Sequence, residues 1–461
     1  MELNAIKRLI KRYSSRRSAF VMHALQARRY YDNQTDILYK DIGKDASEVN
    51  PARSANNKIP GGFFGLLIDQ KASYVMSSPP SFSVDNKKQD ELIAEVLGDK
   101  YKKNAIRLLV DASCTGVGFV HYWQGKDGFK WGVVDSEQVY PIWDKSLDPK
   151  LVGILRTYKS LDELSGDELV IYEYWNDTTC ETFARRSADT VDDGLFYYSS
   201  FFDTQTGEPT NTLEHGCGEV PFIAFFNNAR HTSDLNKIKH LIDVYDKVYS
   251  GFINDLDDIQ ELIFIISGYG GSDLAEFMSD LKKYKTIKID NKEDGGVETL
   301  SIEIPIEARN SVLKATRKAI FEQGMGFDPD PEKFGNSSGV ALKFMYALLE
   351  MKAGLLEVEF RVGFARLVRA ILRMSGSGEV GAIKQVWRRT AIQNDLEVAD
   401  ICQKSVGLVS SKTILQHHPF VEDANVEVEA VKEEKLSNME TFGLGVHTHG
   451  DDEGAKTEAG T

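Results

Sequence analysis

Four carboxylates fall within seven residues at Asp255, Asp257, Asp258 and Glu261. Acidic groups so close together can hold Mg²⁺ for phosphoryl chemistry, which would make this chain a metal-dependent nucleotide- or phosphate-processing enzyme. On a helix, however, these positions do not all converge on one point, and a solvated acidic face explains them as well. His215 with Cys217, and His447 with His449, lack a second pair at zinc spacing. The loop DNKEDG (Asp290–Gly295) has the start of a calcium loop, but Lys292 occupies the third ligand position and Ser301 stands where a bidentate Glu is required. GSGEVG (Gly376–Gly381) matches the dinucleotide pattern in letters only, because it follows a helix rather than a strand. No GxxxxGK[ST] loop and no G-x-S-x-G elbow occurs. The sequence therefore assigns no catalytic residue, no metal and no cofactor.

One further stretch has the makings of a binding element: KFGNSSGVALKFMYALLEMKAGLLE, Lys333–Glu357. Gly335 and Gly339 are conformationally permissive, and Asn336, Ser337 and Ser338 are small, polar and uncharged. Ser337 or Ser338 can cap the helix that follows. Lys333 and exposed backbone N–H groups would touch phosphates without reading bases. A plain capped helix start fits the same residues.

The elements that must position these groups follow from length and pattern. The 461 residues suffice for two to four domains, and 42% apolar content supports a buried core. A net charge of −15 argues against a protein that grips nucleic acid by counterion release, though not against one that lets it pass. Four scattered cysteines without CxxC spacing read as reduced thiols of an intracellular protein. The basic N-terminus lacks the apolar core of a signal peptide, and GFFGLLI and LIFII are far too short to span a membrane.

Residues 1–30 have the period of a basic amphipathic helix, with Ile6, Leu9, Ile10 and Tyr13 opposite Lys7, Arg8, Lys11 and Arg12; packing on its own protein is the expected use. Helices are predicted over 63–76, stopped by Ser77-Ser78-Pro79-Pro80, and over 90–112. From 115 to 226 the pattern changes to antiparallel strands: GVGFVHYWQ, FKWGVV, GILRTYK, ELVIYEYW, LFYYSSFF and PFIAFF. A long helix is predicted over 233–266, then a short helix, then a β segment made of KTIKID and VETLSIEI around the turn NKEDGG. Pro305 starts a helix over 306–324, GMGFDPDPEKFGNSS is a loop, and Gly339–Met374 is the longest helix, apolar on most faces. Residues 382–420 read as smaller helices and 421–461 as an acidic, flexible tail. The fold class is α+β, in several domains.

The order of these segments resembles the SPP1-type portal proteins of tailed phages. The resemblance is carried by RRYYDNQTDIL (Arg28–Leu38), NNKIPGGFFGLLIDQKASYVMSSPPSFSV (Asn56–Val84), VPFIAFFNNARHTSDLNKIKHLIDVYDKVYSGFINDLDD (Val220–Asp258) and GNSSGVALKFMYALLEMKA (Gly335–Ala353), and it spans about Arg28 to Glu434. It implies a non-enzymatic ring of twelve subunits at one capsid vertex, assembled in the host cytoplasm and kept in the virion, through which double-stranded DNA passes irrespective of sequence. The implied partners are the terminase large subunit, the major capsid and scaffold proteins and a head-completion or adaptor protein, with no membrane. By resemblance, 1–232 forms a wing with helical and β-rich parts, 233–267 and 305–324 the stem helices, 268–304 a small α/β clip and 325–338 a tunnel loop. Residues 339–381 are the long wing helix, 382–440 a helical crown, and 441–461 a flexible acidic tail. On this reading Asp243, Asp246, Asp255, Asp257 and Asp258 give the stem channel a negative wall that DNA slides past. Lys333, Asn336, Ser337 and Ser338 face the DNA, and Lys285, Lys288 and Lys292 of the clip bind partners.

Overall fold

The computed structural model describes residues 1–40, 55–126, 128–162, 166–203, 206–259, 263–267, 296–300, 305–329, 339–378, 381–389, 395–418, 420–421 and 424–441. Two units contain them. The first comprises 1–330 with 345–390, the second 331–344 with 391–461.

Helix α1 (Leu3–Tyr31) uses the stripe expected of it: Ile6 and Ile10 are buried against Leu155, Val170, Tyr172, Phe183 and Leu195. Further on, Ala27 and Tyr30 pack on α2 (Phe63–Met76), and Arg28 reaches Asp111 at 2.9 Å and Glu137. Helix α2 is buried on most of its circumference, as its run of Phe, Leu, Ile, Val and Met requires. In place of the single helix expected at 90–112 there are two, α3 (Lys87–Leu97) and α4 (Tyr101–Thr115). Gly98, at φ +59° and ψ −170°, breaks them apart in a backbone conformation open almost only to glycine.

Strands β1 (Ser81–Ser83), β2 (Val117–Gly125), β3 (Gly128–Val134), β4 (Val139–Trp143), β5 (Leu151–Leu161), β6 (Glu168–Trp175) and β7 (Thr179–Arg186) come first. After the one-turn helix α5 (Val191–Gly194) come β8 (Phe196–Tyr197), β9 (Phe201–Phe202), β10 (Pro209–Thr210), β11 (Thr212–Glu214) and β12 (Phe222–Phe226). Two larger antiparallel sheets result, β12-β2-β3 and β11-β7-β6-β5-β4 with β8 also on β7, beside a separate β9-β10 pair. The two-residue period of β2 and β12 divides their side chains between two cores. Val120, Tyr122, Ile223 and Phe225 face the helical core, while Phe119, Phe222 and Ala224 meet Val139, Ile154 and Trp175 of the second sheet.

The predicted stem helix is shorter than expected. A 3₁₀ turn at Asp234–Lys237, opened by the Ser233 hydroxyl, leads into α6 (Lys239–Ile259). Ile263–Ser267 is then strand β13, paired antiparallel with β14 (Gly296–Leu300). The apolar, β-branched run IFII has no helical period of its own and suits a strand. Helix α7 (Ile306–Gly324) and helix α8 (Gly339–Met374) keep their predicted bounds. Inward-facing Leu349, Ala353, Leu356, Phe360, Phe364, Leu367, Val368 and Ile371 of α8 are the backbone of the helical core.

Strand β15 (Lys384–Val386) pairs with β1, so the first unit runs on past residue 382 to Thr390. The second unit holds α9 (Asp395–Lys404), α10 (Ser411–His417, capped by Ser410) and α11 (Ala424–Thr441). Helix α11 occupies the first half of the segment expected to be a flexible tail; its Glu- and Lys-rich sequence has good helix propensity. The expected short helix and KTIKID strand, and the tail from 442, lie outside the described residues.

Candidate functional site

Helices α6 and α7 pack together and carry most of the acidic residues singled out in the sequence. Arg309 of α7 pairs with Asp255 of α6 and lies over the Phe252 ring, 5.5 Å from its centroid. At the other end of α7, Arg317 holds Asp328 at 2.7 Å. Near its start, α6 is fastened to α1 and the turn after it: Lys239 pairs with Asp36 at 2.7 Å and with Asp243 at 2.8 Å, and the Tyr30 hydroxyl donates to Asp243. Burial works against the Lys239 ammonium, but these hydrogen bonds win and hold its pKa above the ordinary lysine range.

A polar line along α6 does something the sequence reading missed. Asp246, Ser250 and Asn254, spaced four residues apart, accept the backbone N–H groups of Gly61 (2.9 Å), Ile59 (3.0 Å) and Asn57 (2.6 Å) in turn. Asp257 takes the Asn57 side-chain amide at 2.6 Å. The match is geometric. Four residues of helix rise about 6 Å, and two residues of extended chain span nearly the same. Pro60, which has no N–H, falls between two donors. So the segment NKIPG runs along α6 as an extended strap. The i, i+4 series Asp246-Ser250-Asn254 on an otherwise amphipathic helix was the available signal.

The five stem carboxylates therefore do not form one wall. Asp246 is fully buried and also accepts the Thr35 hydroxyl at 2.5 Å, so it presents no charge to an open surface; this corrects its assignment to the channel wall. Asp243 and Asp255 are ion-paired, Asp257 is exposed, and the side chain of Asp258 lies outside the described residues. Glu261 lies outside them too, and Asp255 and Asp257 turn to different partners, Arg309 and Asn57. Lys285, Lys288, Lys292, Lys333, Asn336, Ser337 and Ser338 likewise lie outside the described residues. His215 is spent locally: Nε2 meets the Asn176 carbonyl at 3.1 Å and Nδ1 accepts the Cys217 N–H. Among the described residues, no three His, Cys, Asp or Glu side chains gather as a metal site, and no helix is long and apolar enough to cross a membrane.

Burial raises the Asp246 carboxyl to about 6, against the opposing pull of Thr35 and the Gly61 N–H. A carboxyl that binds its proton more tightly when folded favours the fold below its unfolded pKa and loses that advantage as pH rises through about 6. Asp246→Asn can still accept from Gly61 while donating to Thr35, so it keeps the strap and abolishes the titration. The stability difference between variant and wild type should shift in the variant's favour by roughly 2–3 kcal/mol between pH 4 and pH 7.5. Urea unfolding at several pH values measures it; a difference that stays flat with pH would mean the carboxyl is not strained.

The ion pair between α6 and α7, the tie from α6 to the turn after α1 and the extended strap along α6 make this part of the chain a framework of braced helices. Comparison with known proteins gives the family. The family model described as phage portal protein, SPP1 Gp6-like, matches residues 10–441, and the chain belongs to that family. Relatives include the portal protein of Clostridium phage phiCD119, 39% identical over 452 residues, with 94% of this chain and 96% of the relative covered. The portal protein of Bacillus phage SPP1 is 28% identical over 447 residues, covering 93% and 87%. Among solved structures, similar chains come from the neck of an empty gene transfer agent (GTA) particle computed with C6 symmetry (TM-score 0.44, 12% identity, 78% of this chain and 91% of that one). The neck of the native particle computed with C12 symmetry gives a TM-score of 0.40 at 13% identity, covering 79% and 95%.

Proposed function

We propose that this chain builds the portal ring at one vertex of a phage capsid, a structural conduit for DNA entry and exit with no catalysis of its own. In this reading twelve copies close head to tail, and α6 and α7 are the stem around the channel. The clip at 268–304 presents Lys285, Lys288 and Lys292 to the terminase large subunit and later to a head-completion or adaptor protein. The loop 325–338 brings Lys333, Asn336, Ser337 and Ser338 to the DNA, small polar groups that touch a backbone without reading bases. Capsid and scaffold proteins surround the wing, and the crown lies in 382–440. Of the acidic wall, Asp257 and Asp258 at the end of α6 remain as its channel-facing candidates.

The observation that carries the ring is the outer face of α8. Met351, Leu355, Val358 and Val362 are each more than half exposed, and exposed Arg366, Arg369 and Arg373 continue the same line. Their spacing of 4-3-4-4-3-4 keeps all seven on one stripe of the helix, roughly 33 Å long. A monomer's outward helix face is normally polar, whereas this one is apolar and then basic. A neighbouring copy supplies a cover: heterologous contacts generate rings, and an acid-rich chain of net charge −15 suits the arginines. Native mass spectrometry of wild type and Val358→Asp tests this. The wild type should run as a ring of about a dozen copies, the variant as folded protomers with unchanged circular dichroism. Rings that tolerate Asp at 358 would remove α8 from the seam; a chain that stays monomeric at every concentration would remove the ring.

A further inference from the structure

A cavity of about 250 Å³ lies where the C-terminal end of α7 meets α2, α8 and the turn from Asn227 to Asp234. Its floor is charged and buried. The Lys71 ammonium, on the most enclosed side of α2, donates to the Ser113 hydroxyl (3.0 Å), the Asn227 carbonyl oxygen of its side chain (2.6 Å) and Asp234 Oδ2 (3.1 Å), which uses all three of its protons. Lys352 of α8, also buried, donates to the Gly324 carbonyl at 2.9 Å and pairs with the same Asp234 oxygen at 3.0 Å. Among the described residues, that leaves one Lys352 proton without an acceptor. Asp234 Oδ1 is taken by the Asn227 amide at 2.8 Å.

The charges do not balance. Two ammonium groups share one carboxylate in the floor, and the mouth adds Arg230 and Lys237. Both are exposed, and neither side chain makes a hydrogen bond or ion pair among the described residues. Four cations thus surround one anion, in a chain whose overall balance is 55 basic to 70 acidic residues. A buried cation that is only partly compensated is costly, and an anion entering the cavity relieves that cost. Burial, joined by the nearby Lys352 charge, brings the Lys71 pKa down to about 8 even with Asp234 beside it.

We propose that this cavity is a binding site for a compact oxyanion of the phosphate class, held by the remaining Lys352 proton with Arg230 and Lys237 at the mouth. The volume far exceeds what a single water needs, and the open side of the cavity is the side that carries the free cations. Occupancy is felt at the end of α7. Gly324 and Met325 line the cavity, and two residues on Phe327 is clamped by Gln70, which donates to its carbonyl at 2.7 Å and accepts its N–H at 3.1 Å. An anion here would brace the root of the segment that follows α7. Anion binding here does not depend on the chain closing into a ring.

The test is thermal unfolding and isothermal titration of the full chain with potassium phosphate, against potassium chloride at equal ionic strength and pH. Phosphate should raise Tm saturably above the chloride value and bind at about one per chain. Arg230→Ala with Lys237→Ala, both surface changes, should keep the chloride Tm and weaken phosphate binding at least tenfold; Lys352→Met should abolish it. A duplex oligonucleotide lacking terminal phosphates is the second arm. Competition with phosphate would identify a phosphodiester as the source of the oxyanion, and lack of competition a free anion. Equal Tm in phosphate and chloride with no heat of binding, or binding indifferent to the double substitution at the mouth, would overturn the proposal.

Discussion

Asp234→Asn is expected to destabilise the first unit by about 3–5 kcal/mol, the range for removing one partner from a buried ionic group. Among the described residues Asp234 is the only carboxylate paired with either Lys71 or Lys352, and its pKa is held well below the usual carboxylate range: burial opposes ionisation, but the two lysines and the Asn227 amide overcome it. An Asn side chain must turn its amide toward either the lysines or Asn227, so at least one donor faces a donor. The pH dependence gives a signature that a generic packing defect lacks. A buried lysine whose folded pKa lies below its unfolded value destabilises the fold while protonated, and stability recovers as pH rises through the folded pKa. Lys71 already sits near 8 with Asp234 present, and loses its main support without it. The deficit of the variant should therefore shrink between pH 7 and pH 9. Urea midpoints across that window measure it. A deficit under 1 kcal/mol, or one that does not shrink, would show that solvent already reaches these groups.

That network also marks where sequence reading runs out. The bounds of α2, α7 and α8 were legible because proline, glycine and a helical period agreed on each. Gly98 was equally visible, yet the apolar period on its two sides is continuous enough to suggest one helix. LIFII is a case in which five apolar residues in a row fit helix or strand, and only the pairing of Ile263–Ser267 with Gly296–Leu300 decides between them. Lys71 stands three residues after Ile68 and four after Leu67, on the buried side of its helix, and Lys352 stands next to Ala353 with Leu349 and Leu356 on either side. A lysine on an apolar face was a sign of a buried partner, but its identity depends on contacts between residues 71, 227, 234 and 352, which no local pattern encodes. The stem carboxylates show the converse. Their chain positions suggested one acidic surface, while the fold gives Asp246 to a strap and Asp255 to Arg309.

Gly116→Ala should cost about 3–4 kcal/mol, although it adds a single methyl group. Gly116 ends α4 and starts β2 at φ +93°, and its carbonyl accepts the Asn227 N–H at 3.0 Å. Two penalties add there. An L-residue in that conformation is strained by roughly 1–2 kcal/mol. A Cβ would also stand 2.4 Å from the His231 carbonyl oxygen and 2.9 Å from its carbon, backbone atoms that cannot swing aside as a side-chain tip would. His231 is itself fixed, with φ +53° and its ring stacked on Phe226 at 3.6 Å between centroids. Gly128 provides the control. It has φ +104° at the β2–β3 turn, and a Cβ there meets nothing within 4 Å. Gly128→Ala thus reports the backbone strain alone, and Gly116→Ala should exceed it by about 2 kcal/mol in urea midpoint terms. Because the displaced turn carries Asn227, the Gly116 variant should also loosen the lysine cavity and weaken any protection by phosphate, which Gly128→Ala should leave intact. Equal costs for the two alanines would mean that the His231 backbone gives way freely and that the turn from Asn227 to Asp234 is not the rigid support on which the cavity depends.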